Sequence, residues 1–267
     1  MSDESPQAPA PEPIILANLT SPEIGELLPN LDMVLIPVGA HEQHGRALPV
    51  STDTLTATVI SSLTGTLLAP RVAIAPTIPW GVSWHHLGRP GTISLKHETL
   101  IQVVLDQIDS LYRQGVKRFV LVNAHGGNTS TLAVAAERAK HELGVPLVVS
   151  IFAYSLLSNA AREVLGEETI GHAGGDEASA ILAIRPELVK QDELTNANVQ
   201  PDLKRAKMIV TAAGGVLPVM YHRLSPTGST GDASKASAEA GSDIIGQAVN
   251  QLRAICEELL DLDLDLL

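Results

Sequence analysis

Cysteine is almost absent from this 267-residue chain, with Cys256 standing alone. No intrachain disulfide can form, and a zinc site built on thiolates is excluded. One thiol suits a reducing compartment, and the expected location is the cytoplasm. Aromatics are scarce at 3%, and the two tryptophans are Trp80 and Trp84. Lys and Arg number 18 against 30 Asp and Glu, a net charge of -12. That balance lacks the basic footprint of a phosphate-backbone binder, so no nucleic-acid partner is expected. No run reaches the ~20 apolar residues of a membrane span, and no membrane partner is expected. Met1 to Pro13 is rich in Pro, Ser, Ala and acidic residues, without the basic start or apolar core of a signal peptide. Residues 1–14 are therefore expected to form a disordered tail.

Hydrophobic residues make up 45% of the sequence, enough for one α/β domain or at most two small ones. Apolar strands alternate with amphipathic helices. Strands are expected over Met33 to Val38, Val72 to Ala75, Phe119 to Val122 and Pro146 to Phe152. The third of these is too short for a helix and fits a strand buried on both faces. Helices are expected from Ser21 to about Leu28, Asp53 to Leu68, His97 to Gln114, Thr129 to Leu143, about Ser155 to Leu165, Glu177 to Ala183 and about Ser234 to Leu260. In the third, Leu100, Ile101, Val104, Leu105, Ile108 and Leu111 recur near a period of 3.6 and stop at Gly115. Between the last two helices the pattern is less regular. Asp261 to Leu266 alternates as a strand would, or is a frayed end after the last helix. The order argues for a mostly parallel sheet covered by helices, with ligands beyond the carboxyl ends of its strands.

The chemistry clusters in three places. Glu42, His44 and Asp53 crowd a Gly/Pro-punctuated loop just after the first long strand. His125 follows another strand in Asn123-Ala124-His125-Gly126-Gly127-Asn128, and His172 to Glu177 opens a later helix. Carboxylates and imidazoles converging at strand ends make a nest for a divalent metal and point to a metallohydrolase. Glu42 and His44 are two apart, so an extended segment puts them on one face and turns His41 away. His41 and His44 are three apart in a loop, which is not the helical zincin motif. Taken singly, Asp53 is equally placed to cap its helix, His125 to be a satisfied loop residue, and Glu177 to be a first-turn acid favoured by the helix dipole. His172 can likewise be a helix-entry residue. Gly126 and Gly127 let the backbone approach a ligand or adopt positive φ, and they are candidate substrate-binding residues together with Asn128. Arg89 is placed for an anionic substrate group, or is a surface arginine.

Taken together, the motifs resemble the creatininase (creatinine amidohydrolase) family. Pro37-Val38-Gly39, Glu42-Gln43-His44-Gly45, Leu48-Pro49 and Thr52-Asp53 look like its opening signature. His86-Leu87 with Pro90-Gly91-Thr92-Ile93-Ser94-Leu95 resembles a second block, Asn123 to Asn128 a third, and His172-Ala173-Gly174 with Glu177 a fourth. Gly231-Asp232 with Ala238 to Gly241 is a weak last one. The resemblance implies a three-layer α/β/α domain over residues 15–260 with two divalent metal ions, zinc, manganese or iron. It carries Glu42, His44, Asp53, His125 and Glu177 over as ligands, with Asp53 as the bridge, and His172 as the catalytic acid/base. It further implies a homohexamer acting on a small-molecule amide.

Creatinine-cleaving members have a Tyr-Glu pair after the third-block histidine, and its glutamate helps bind metal. Gly126-Gly127 stand there in this chain, which leaves Glu177 to serve. Those members also close the pocket with tryptophans, whereas Trp80 and Trp84 both lie in the second block. The resemblance thus implies an amidohydrolase for a small polar or cyclic amide. Relatives with the Gly-Gly form cleave formamides, peptides and other small C–N bonds. A non-catalytic, metal-stabilised binding protein is the reading outside enzyme chemistry.

Overall fold

The structure, a computed structural model, describes residues 12–195 and 197–267. Most of the expected tail falls outside the described residues. Its last member, Ile14, belongs to strand β1 (Ile14–Ile15), which the sequence pattern does not reveal. Four longer strands follow: β2 (Met33–Val38), β3 (Val72–Ile74), β4 (Arg118–Asn123) and β5 (Leu147–Phe152). All pair in parallel in the order β1-β3-β2-β4-β5.

Helices cover both faces. On one side lie α2 (Thr52–Leu67), α5 (Ala153–Val164), α6 (Gly175–Ile184) and α9 (Ala238–Asp261), packed on Met33, Leu35, Val120 and Val122. On the other, α3 (His97–Tyr112) and α4 (Thr129–Leu143) pack on Val34, Ile36, Phe119 and Leu121. Successive strand residues thus enter opposite cores, which is why β2 and β4 are apolar throughout rather than alternating. The result is the three-layer α/β/α arrangement.

Local chemistry sets the helix ends. A capping box starts α1 (Ser21–Leu27): the Thr20 amide donates to Glu23 Oε2 at 2.6 Å, and Pro22 sits in the first turn. Gly144, at φ +75°, closes α4 in the left-handed conformation. The expected helix from about Ser234 begins at Ala238, where the Ser237 side chain accepts from the Ala240 amide. The less regular stretch holds a 12-residue helix, α7 (Pro201–Ala212), and the single turn α8 (Tyr221–Leu224). No residue of α7 is buried, so it carries little of the apolar periodicity that betrays a packed helix. The C-terminal Asp-Leu alternation forms no strand. Asp263 instead caps a 3-10 turn over Leu264–Leu266. No described helix is long and apolar enough to cross a membrane, and Cys256 is a buried free thiol.

Candidate metal centre

Loops leaving the carboxyl edge of a parallel sheet converge in space. The segment after β2 runs through Gly39 into Glu42, Gln43 and His44. A Cβ at Gly39 would lie 2.5 Å from the Thr54 backbone, so only glycine lets this loop press against α2. Asp53 stands on the first turn of α2, His125 follows β4, and Glu177 sits on the first turn of α6.

The five residues expected as ligands come together. His44 Nε2 lies 3.1 Å from Asp53 Oδ1 and 3.4 Å from Glu177 Oε2. Across the cluster, His125 Nδ1 lies 3.2 Å from Asp53 Oδ2 and 3.3 Å from Glu42 Oε1. Asp53 thus offers one oxygen to each imidazole instead of capping its helix. All five side chains are buried.

Backbone carbonyls orient both rings. His44 Nδ1 donates to the Glu42 carbonyl at 3.1 Å, and His125 Nε2 donates to the Val82 carbonyl at 3.0 Å. A carbonyl engages each outward nitrogen, so His44 Nε2 and His125 Nδ1 face the carboxylates and are the nitrogens a metal would take once it displaces their protons, as in metal-ligating histidines. Glu42 Oε2 and Asp53 Oδ2 are buried without a hydrogen-bond donor. Buried carboxylate oxygens are expensive to leave unsatisfied, and a cation satisfies them. Electrostatics agree. Burial alone would lower His44, but the charges of Asp53, Glu177 and Glu42 outweigh it and lift the imidazole to about 10. Burial is likewise outweighed at His125, which Glu42 and Asp53 push well above its ordinary value. Burial, with Asp176 and Asp53 nearby, pushes Glu177 up. Groups that hold protons this firmly carry surplus negative charge, and a divalent cation can take the protons' place. The sulfur-free donor set of carboxylates and imidazoles fits zinc, manganese or iron.

His172 borders the cluster. Its ring lies 4.4 Å from that of His44, its Nε2 donates to the Gln43 carbonyl at 2.8 Å, and its Nδ1 lies 3.7 Å from Glu42 Oε1. Burial and the neighbouring His44 keep it neutral. The next residue, Ala173, has φ +51°, and its amide donates to Glu177 Oε2 at 2.7 Å. A non-glycine residue in this region stores backbone strain, and Glu177 holds it.

The substrate-facing residues lie differently from expectation. Neither Gly126 nor Gly127 has positive φ. Gly127 is required because a Cβ would meet the Val82 carbonyl at 2.2 Å and His125 Nε2 at 2.4 Å, whereas Gly126 is exposed. Asn128 is wholly buried and used internally. It accepts from the Val82 amide and donates to the Gly39 carbonyl and to Asn123 Oδ1, tying three loops together. Arg89 donates to the carbonyls of Ser225 and Pro226 at 2.8 and 2.6 Å, so its guanidinium straps a loop.

Four further residues belong to the surroundings. Gln43 Nε2 lies 2.8 Å from His86 Nδ1 and 3.1 Å from the Gly228 carbonyl, with its Oε1 accepting from the Gly45 amide. Gln43 therefore donates to His86 Nδ1, which leaves the His86 proton on Nε2, 3.3 Å from Glu42 Oε1. His86 serves Glu42 as a donor. Beside it, His85 stacks on His125 at 5.5 Å, and burial lowers its pKa to about 4. The Tyr221 ring packs 4.2 Å from His86 and 5.0 Å from His172. Adjacent histidines in the loop after β3, on the same sheet edge, are the signal for His85 and His86. Tyr221 lies in the irregular stretch and has no such signal.

A model of the family Creatininase, creatinine amidohydrolase, matches residues 17–256. The chain is 32% identical over 243 residues to a mycofactocin precursor peptide peptidase of Mycolicibacterium smegmatis, covering 88% of this chain and 87% of that protein. It is 28% identical over 248 residues to a creatinine amidohydrolase of Pseudomonas putida, covering 85% and 89%. Among solved structures, a manganese creatininase superposes with a TM-score of 0.79 at 25% identity, covering 94% of this chain and all of that one.

Proposed function

The chain belongs to the creatininase family of hydrolases, and from that premise we propose that it hydrolyses the C–N bond of a peptide-type amide at a site for two divalent cations. The observation that carries the reading is Asp53, whose two oxygens each face the inward ring nitrogen of a different histidine. In this reading Glu42, Asp53 and His125 hold one cation, and His44, Asp53 and Glu177 the other. Bound there, the cations supply Lewis acidity toward the carbonyl and lower the pKa of water toward neutral. The chain's residues do the rest. His172, neutral and with its Nδ1 lone pair toward Glu42, takes a proton at Nδ1 and returns it to the departing nitrogen. Buried walls exclude competing water around Glu42, His44 and Asp53.

A peptide-type amide is preferred over creatinine on two grounds. Gly127 leaves no room for the side chain that creatinine-cleaving members carry after this histidine. Both tryptophans are nearly half exposed, Trp84 packing edge-on against His97. The similarity to a peptide peptidase agrees. Metal analysis of the purified chain, then a screen of short peptides, formamides and cyclic ureides before and after chelation, tests the proposal. Chelation should abolish turnover and metal return should restore it. A chain that binds no divalent metal would refute the reading. The homohexamer expected from the resemblance is proposed with it, and light scattering near the 28.1 kDa chain mass would exclude it.

A further inference from the structure

Side chains around the buried cluster differ in their access to solvent. Glu42, His44 and Asp53 are closed off, while His85, His172, Tyr221 and Lys207 retain partial exposure. This partly exposed side forms a rim where Tyr221 of α8 packs 5.3 Å from His85 and 5.0 Å from His172, with Lys207 of α7 over the Tyr221 ring. On that rim Lys207 Nζ donates to Tyr221 Oη at 3.4 Å and lies 5.0 Å from the ring centre. Among the described residues no carboxylate pairs with Lys207, although Arg205 on the same helix has Asp202. Among the described residues no acceptor takes the Tyr221 hydroxyl proton, so with its oxygen accepting from Lys207 the O–H stays free to donate.

We propose that Lys207 and Tyr221 form the subsite for a carboxylate carried by the amide substrate. The inference rests on the hydrolase reading and names its substrate class, an amide bearing a negative charge near the bond to be cut. Two donors, one ammonium and one hydroxyl, stand within hydrogen-bond distance of each other and can both reach the oxygens of one carboxylate. Chemistry selects an anion here. A cationic ligand would meet Lys207, and a neutral one would leave the ammonium without a counter-charge in a half-buried setting. Arg89, the cation that the sequence singles out for this task, is occupied by the Ser225 and Pro226 carbonyls.

N-acetylglycine and N-acetylglycinamide differ only in the carboxylate and are the probes. Calorimetric titration of each into the metal-loaded protein should show the acid binding roughly tenfold tighter than the amide, the scale of one charge-assisted contact. Lys207→Met should erase that preference with metal content unchanged, and Lys207→Arg should keep it. Tyr221→Phe should reduce it about threefold. Equal binding of the two probes by the wild type, including no detectable binding of either, overturns the inference. So does a preference that survives Lys207→Met, which would send the carboxylate to the metal centre. A chain that retains no divalent metal overturns the hydrolase reading; metal retained without acid preference overturns the subsite alone.

Discussion

The sheet-edge cluster and the α7–α8 rim are built on opposite principles. In the cluster every donor sits at the end of a strand or on the first turn of a helix, and carbonyls of Glu42, Val82 and Gln43 fix the rings. Its members are buried against a five-stranded sheet. On the rim Met208, Ile209 and Val216 are more than half exposed, and Lys207 is held by Tyr221, whose ring packs on His86 and His172. Rigid, over-determined geometry suits groups that must meet within tenths of an ångström, and a lightly packed segment suits recognition that varies. Damage to the first region should remove chemistry, whereas damage to the second should alter which substrate is used.

The sharpest way to break that contrast is Asp53→Ala. Losing the one carboxylate shared by both imidazoles should empty or distort both positions, with bound metal falling by mass spectrometry and activity abolished. Full metal occupancy in Asp53→Ala would show that the cluster does not depend on its shared carboxylate. His172→Ala comes next. It should retain metal yet lose about 10²–10⁴-fold in kcat. Metal loss in this variant would turn His172 into a ligand.

Legibility in the sequence follows the same division. Strand and helix periods around β2, β4, α3 and α4 are readable because both faces of the sheet demand apolar side chains. Glu42, His44, Asp53, His125 and Glu177 are readable because scarce residue types recur beside Gly and Pro at strand ends. Asn128 and Arg89 are chemically conspicuous too, but their partners are backbone groups from distant segments, and no spacing rule foretells those. α7 was illegible for a physical reason: it buries none of its residues, so tertiary packing imprints no period on it. Tyr221 reaches the site from such a segment and went unseen with it.

Gln43 sharpens the comparison from inside the cluster. Its amide holds His86, and its carbonyl holds His172. Gln43→Met keeps the length and the backbone carbonyl but frees His86 Nδ1, so the donor to Glu42 is no longer fixed. Loss of an outer hydrogen bond to a ligand typically weakens metal affinity or activity about 10–100-fold. Metal titration with a competing chelator should find the variant in that range. Wild-type affinity and activity would make Gln43 a packing residue only.

Protonation supplies a milder test of the cluster's surplus charge. His44, raised to about 10, carries a proton at pH 7 that metal binding must displace. The sign follows: loading at pH 7 should release protons, and apparent affinity should rise with pH up to about 10 and level off above it, where His44 has lost its proton. Proton uptake, or no pH dependence between 6 and 9 by ~2-unit titration steps, would contradict the assignment of His44 as a ligand.

The smallest effect belongs to the rim and completes the contrast. Ile209 lies on α7 with 64% of its surface exposed. Ile209→Ser removes apolar area that already meets water, so unfolding stability should move by no more than about 0.5 kcal/mol, with metal content unchanged. Val122, in β4 and wholly buried between the helical layers, is the counterpart. Truncating it to Ala deletes core methyl groups and leaves a cavity, at roughly 1–3 kcal/mol. Denaturant midpoints for the two variants measure the contrast directly. If Ile209→Ser cost as much as Val122→Ala, α7 would be packed against something that the isolated chain lacks, and the rim would no longer be the adaptable half of the molecule.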